Sequence, residues 1–152
     1  MLFRSRFSAR TVIDRDLETV FAWVADYRNV PAVLEGVERW QPLGRRTTGE
    51  GARFAVTIRV LAQDMEDVLV LDTWEEPRAI GWRSESGPGR HSGDWRFRPR
   101  GAGTEVTLTI SYRVPGGMLG GLVAGPLVGA FRGRLEDALE RMRVTLEAPP
   151  GG

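Results

Sequence analysis

Residues 115–131 read PGGMLGGLVAGPLVGAF, small and apolar, with no charged residue until Arg132. Beyond it Phe131, Leu135, Leu139, Met142 and Leu146 recur on one helical stripe, while Arg132, Glu136, Asp137, Glu140, Arg141 and Arg143 take the other faces. The pattern predicts a long C-terminal helix whose second half packs in the ordinary way and whose first half is apolar all round. Gly120, Gly121, Gly125 and Gly129 each weaken such a helix by about 1 kcal/mol relative to alanine. Pro126 is expected to kink or break it. A helix written for dense packing would not carry these residues; one wall of an apolar cavity, or a lid over it, would. The apolar part, Met118 to Phe131, is too short for a bilayer span of about 20 residues.

The segments before this helix predict the sheet that it covers. Phe7, Ala9, Thr11 and Ile13 alternate with Arg6, Ser8 and Arg10, as in a half-buried strand. Asp14 and Asp16 then offer caps for a helix with Leu17, Val20, Phe21 and Val24 on its inner stripe. A second short helix is expected over Tyr27 to Glu35, begun by Asn29 before Pro31 and stopped by Gly36. Val37 to Leu43 reads as a strand of weak alternation, and Thr47 to Gly51 as a loop.

From Ala52 strands follow one another with turn signals about every 12 residues, the rhythm of an antiparallel meander. Phe54, Val56, Ile58 and Val60 share one face. The next strand, Met65 to Trp74, is apolar on both faces over Val68 to Leu71, so its register is open, and Asp67 and Asp72 are expected in solvent. Ile80, Trp82 and Ser84 share a face, then Trp95 and Phe97, then Val106, Leu108, Ile110, Tyr112 and Val114. The order is strand, two helices, six strands and a long helix. An antiparallel sheet needs cover for its apolar face. The expected fold is therefore α+β: a curved seven-stranded antiparallel sheet gripping the C-terminal helix, over one domain at 1–148 with a disordered tail at 149–152.

Composition excludes much chemistry. The 152 residues contain no cysteine and no lysine, and His91 is the sole histidine. Thiol nucleophiles, disulfides, Schiff-base lysines and multi-histidine metal sites are thereby removed. No Asp/Glu cluster has the spacing of a cation-binding loop, so no metal and no cofactor is expected. A net charge of +1 argues against nucleic acid, despite Arg96, Arg98 and Arg100 around Trp95 and Phe97. The N-terminus has charges without an apolar run behind them, which reads as a cytoplasmic protein, monomeric or homodimeric.

At this level of detail the chain resembles the START-like, or polyketide cyclase/dehydrase, superfamily (SRPBCC), which includes the birch-pollen-allergen fold. The matching segments are Val12-Ile13-Asp14 leading into Val20 to Asp26, Leu34 to Val37, Gly49 to Phe54, Glu76 to Arg83, Trp95 to Pro99, and Gly103 to Thr107 before a strand ending at Pro115-Gly116-Gly117. Their order and spacing cover nearly the whole chain. The resemblance implies a deep hydrophobic cavity between sheet and C-terminal helix, holding lipids, sterols, polyketides or quinones. It implies no particular catalytic constellation, because members range from cyclases to carriers.

The inward parity assigns a ligand-binding wall to Phe54, Val56, Ile58, Ile80, Trp82, Ser84, Trp95, Phe97, Leu108, Ile110 and Tyr112, with Leu119, Leu122, Val123 and Leu127 on the helix side. The same alternation would also build a solid core. Inward polar groups are few: Ser84, His91 and Tyr112, with Thr11 as a further candidate. His91 titrates near neutrality and Tyr112 can donate to a carbonyl, the two parts an aldol-type cyclisation needs. Yet His91 follows Gly87-Pro88-Gly89-Arg90 and is expected at a loop mouth in solvent. Binding or transport of a small hydrophobic molecule is therefore the favoured reading. A polyketide aromatase or cyclase using His91 and Tyr112 is the alternative. The third is a module that docks Met118 to Phe131 on a membrane surface or a partner.

Overall fold

The computed structural model describes the backbone of residues 2–60, 62–85 and 90–149, and the side chains of these residues except 2–5, 60, 63, 90 and 112–131. Strand β1 (Leu2–Ile13) is followed by helices α1 (Leu17–Ala25) and α2 (Asn29–Val33). Then come β2 (Val37–Pro42), β3 (Arg53–Val60), β4 (Gln63–Glu75), β5 (Ala79–Ser84), β6 (Arg90–Arg100), β7 (Gly103–Pro115) and α3 (Gly116–Glu147). The seven strands form one sheet in the order β1-β7-β6-β5-β4-β3-β2, every neighbouring pair antiparallel. This is the helix-grip arrangement that the strand rhythm predicts. Of the tail expected at 149–152, residues 150–152 lie outside the described residues.

The second half of α3 is held by its apolar stripe. Leu135, Ala138, Leu139 and Met142, at helical spacing, are each at most 2% exposed. Its C-terminus is tied to the link after β1, where Glu147 Oε2 accepts the Asp14 backbone N–H at 3.0 Å. Two arginines on α3 reach the opposite side: Arg141 donates to the Val33 carbonyl at 3.0 Å and Arg134 to the Arg59 carbonyl at 2.8 Å. α3 thus grips both β1 and the α2–β3 region.

Several local expectations are corrected. α3 continues from Gly116 to Glu147, so the break expected at Pro126 does not occur: the single N–H that a proline lacks does not by itself end a helix. Helix α2 is shorter than 27–35; it begins at Asn29, as expected, and the Asn29 Nδ2 donates to the Trp23 carbonyl at 2.8 Å. Gly36 lies beyond the helix end and takes a left-handed φ of +91° into β2. Asp16 does cap α1, its carboxylate accepting from the Thr19 backbone N–H at 3.2 Å and from the Thr19 hydroxyl at 2.6 Å.

Two irregularities explain the strands that could not be registered. Leu71 pairs with Trp82 and Thr73 with Gly81, so Asp72 is an extra residue in β4. The inward set Asp67, Leu69, Leu71 therefore continues at Trp74 instead of 73. In β2 the same slip falls between Val37 and Arg39, which leaves Val37, Trp40 and Pro42 opposite the inward residues Ile58, Val56 and Phe54.

Candidate functional site

The concave face divides into a solid part and a hollow part. Phe21 of α1 seals the solid part, meeting Trp74 and Phe97 edge-to-face with both centroid distances at 5.5 Å. Between the rest of that face, α2 and the second half of α3 lies a cavity of about 120 Å³ of water-sized free space. One water needs roughly 10–15 Å³ of such space, so this is not a packing defect.

Of the residues expected on the wall, Phe54, Ile58, Ile80, Trp82, Trp95, Leu108 and Ile110 stand around this space. Val56 and Phe97 are buried in the adjoining core and do not line it. Ser84 also stands back from it, and its Oγ accepts the backbone N–H of His91 at 3.1 Å. The side chains of Tyr112, Leu119, Leu122, Val123 and Leu127 lie outside the described residues, as does the whole Met118 to Phe131 surface invoked for docking. Among the described residues, Arg134, Leu135 and Ala138 line it on the helix side. Sequence reasoning also passed over Val30 and Val33 of α2, Trp40 of β2, and Leu69 and Leu71 of β4. The two bulges hide the last three, and α2 is too short to show a stripe.

Trp82 owes its position to a glycine. Gly93 sits opposite it on β6, and a Cβ there would come within 2.4 Å of the Trp82 ring. The indole therefore lies flat over a backbone with no side chain beneath it. Trp40 lines the cavity too, and its Nε1–H is the one buried side-chain donor or acceptor among the described residues without a hydrogen-bond partner.

The polar part of the site is where the structure departs most from expectation. His91 is not in solvent: its side chain is 13% exposed, it belongs to β6, and it lines the cavity. Asp67 is not in solvent either, at 8% exposed, whereas Asp72 is exposed. His91 Nε2 and Asp67 Oδ2 are 2.9 Å apart, and Asp67 Oδ1 accepts the Val68 backbone N–H at 2.7 Å. Parity causes the first correction, because His91 follows Gly93 and Trp95 inward along β6. The Val56–Asp67 pairing causes the second, because it puts Asp67 on the face of an inward residue. Burial holds the His91 imidazole below its ordinary value, and the Asp67 carboxylate opposes that shift by charge and hydrogen bond. Ser84 and Tyr112 are neighbours of His91 on the flanking strands. Asp67, Ser84 and His91 thus gather at one end of an otherwise apolar face.

No three histidine, aspartate or glutamate side chains come together as a metal site among the described residues. Among the same residues no helix is long and apolar enough to cross a membrane.

A curved antiparallel sheet, a gripped C-terminal helix and an apolar hollow between them define the helix-grip class of START-like proteins. The chain belongs to the family described as polyketide cyclase/dehydrase and lipid transport, whose pattern matches residues 4–147. Solved structures share the fold at low identity. Protein TTHA0849 of Thermus thermophilus is 22% identical, with a TM-score of 0.81 over 93% of this chain and 97% of its own. A START superfamily protein of Mycobacterium smegmatis is 16% identical, with a TM-score of 0.76 over 93% and 98%. The di-domain ARO/CYC protein BexL of the BE-7585A biosynthetic pathway is also 16% identical at 0.76, over 97% of this chain and 51% of its own. A search of curated proteins gives no match.

Proposed function

We propose that this protein binds one small, mostly apolar molecule in the cavity between the sheet and α3. The observation that carries the reading is the cavity itself: a wall of Phe54, Leu69, Trp82, Trp95, Leu108 and Ile110 with one histidine set into it. Apolar surface brought out of water there contributes roughly 25 cal/mol per Å². The few polar groups fix which end of the ligand lies where. The family's description, which includes lipid transport, supports the same reading.

The test has two arms. Native mass spectrometry of freshly purified protein should show a bound small molecule. A fluorescent anilinonaphthalene sulfonate should bind the emptied protein and lose at least about tenfold in affinity, or 1.4 kcal/mol, when Ile110→Arg places a charge in the wall. Equal binding by the folded variant would move the ligand elsewhere and defeat the proposal.

A further inference from the structure

We propose that the convex face of β1, β7 and β6 docks on the surface of an anionic lipid bilayer through its arginines. This face is the side of the sheet turned away from the cavity, so the docking stands apart from what the cavity holds and does not cover it.

Three observations carry it. First, charge is unevenly placed. The net charge of the chain is +1. Yet the positions that alternate with the buried ones on these strands carry Arg6, Arg10, Arg96, Arg98 and Arg100, all exposed. Among the described side chains only Asp94 and Glu105 oppose them there. The register adds Arg4, Arg113 and Arg90, whose Cα atoms pair in one row across the three strands. Arginines at directly paired positions weaken a sheet, so folding does not explain the row. Arg83 of β5 follows beside Ser92, and Asp72 of β4 lies beyond it next to Gly81.

Second, the two carboxylates do not mask the cations. Glu105 is buried, and its oxygens pair with Arg98 at 3.0 Å and Arg100 at 2.9 Å, two side chains that are 71% and 62% exposed. One sunken negative charge thus answers two positive ones, and guanidinium is what reaches the surface. Asp94 stands 3.7 Å from Arg96. Arg6 and Arg10 have no carboxylate within ion-pair distance among the described residues. Third, the outward positions between the arginines hold Ser8, Ser92, Ser111, Thr107 and Thr109, with Val12 at the end as the one apolar side chain described. That composition selects the partner. Protein interfaces are built round an apolar, aromatic centre, and this face has none. Single-stranded nucleic acid is held by stacking on aromatic rings, and a duplex major groove admits a helix or a two-stranded ribbon, not the back of a seven-stranded sheet. A bilayer of anionic headgroups requires neither rings nor a groove. It attracts each arginine held near it by roughly fivefold in binding constant.

The test is co-sedimentation of the intact protein with vesicles of phosphatidylcholine, either alone or with about one-third phosphatidylglycerol. The wild type is expected to pellet with the mixed vesicles at low salt, to bind phosphatidylcholine at least about tenfold more weakly, and to be released at about 0.5 M salt, where screening is short-ranged. The triple variant Arg6→Gln, Arg10→Gln, Arg96→Gln is expected to lose about tenfold or more on the mixed vesicles. A second triple variant, Arg39→Gln, Arg45→Gln, Arg132→Gln, removes the same charge from exposed residues elsewhere and is expected to stay within about twofold of the wild type. Equal binding to the two vesicle types, or none to the mixed ones at low salt, would overturn the proposal. So would equal losses in the two variants, which would trace binding to net charge and not to this face. A fluorescein-labelled DNA duplex bound more tightly than the mixed vesicles, and lost in the first variant alone, would give the face to nucleic acid and overturn it as well.

Discussion

Gly93→Ala is the substitution whose effect the structure defines most sharply. The added Cβ would lie 2.4 and 2.5 Å from Cζ2 and Cη2 of Trp82 and 2.8 Å from the Thr109 carbonyl oxygen. Carbon atoms prefer about 3.5–4.0 Å, so the indole has to retreat by roughly 1 Å. Its free direction is into the cavity. Turning it that far off its rotamer costs about 0.5–1.5 kcal/mol. The Thr109 oxygen belongs to the adjacent strand of the ladder and cannot yield without loosening the β6–β7 pairing. Overpacking a filled site typically costs about 1–3 kcal/mol, and a rigid backbone contact places this one near the top of the range, at about 2–3 kcal/mol. With a urea slope of about 2 kcal/mol per M for a domain this size, the midpoint should fall by about 1 M. The assay is equilibrium urea unfolding followed by tryptophan fluorescence. Trp82→Leu in the Gly93→Ala background should recover part of the loss, and the double-mutant cycle should show a coupling of about 1 kcal/mol or more. A Gly93→Ala midpoint within about 0.2 M of the wild type would refute the claim that the indole is seated on the glycine.

Three further outcomes follow from buried groups. Met142→Ala, at a residue 0% exposed, should destabilise by about 2–5 kcal/mol, read as a lower calorimetric Tm; a smaller loss would mean that the second half of α3 is not held by its stripe. His91 is held below its usual 6.5 by burial against the opposing pull of Asp67, so the unfolded chain takes up the proton first as pH falls. Its contribution is complete above about pH 6.5 and is lost below it; His91→Gln should flatten the fall in urea midpoint just below that pH, and an unchanged slope would contradict the burial of the ring. Glu105 is pushed up by burial, but Arg100, Arg98 and Arg10 outweigh this and hold it below its usual 4.5. Its contribution is present above about pH 4.5 and is lost as pH falls through the lower folded value; Glu105→Gln should therefore weaken the protein at neutral pH and matter progressively less in acid, as chemical denaturation at the two pH values would show.

The strand order and the gripped helix were legible because β5, β6 and β7 alternate without interruption and because one long helix was left to cover them. What was not legible came from two inserted residues. Asp72 shifts the parity of β4 between Leu71 and Trp74, and the slip after Val37 does the same to β2. A pattern of period 2 carries no information across such a point, so Asp67 could not be placed from its own strand. Only the pairing of Val56 with Asp67 places it. His91 was misjudged for a different reason. Gly87-Pro88-Gly89, read as a turn, lies outside the described residues, but strand β6 begins at Arg90 and takes His91 into the sheet. On the helix, Arg134, Leu135 and Ala138 line the cavity from a stretch that reads in sequence as ordinary packing.

The contrast between the two parts of the concave face gives the polar end its meaning. Where the sheet meets α1 it packs solidly, with Ile13, Val20 and Val106 at 0% exposure and Phe21 wedged between Trp74 and Phe97. The same seven strands therefore can fill space when their side chains are chosen for it. Toward α2 and α3 they do not, and the hollow is bounded by indoles that are large yet leave the centre open. A cavity of that kind forfeits dispersion contacts on all its lining atoms. Placing an imidazole and a carboxylate in its wall adds a desolvation cost on top. The pair itself offsets neither cost, since Asp67 and His91 satisfy each other but contribute little net stability. Under the proposed binding, an apolar molecule recovers those contacts, and a ligand too small to fill the hollow should bind measurably less well than one that fills it.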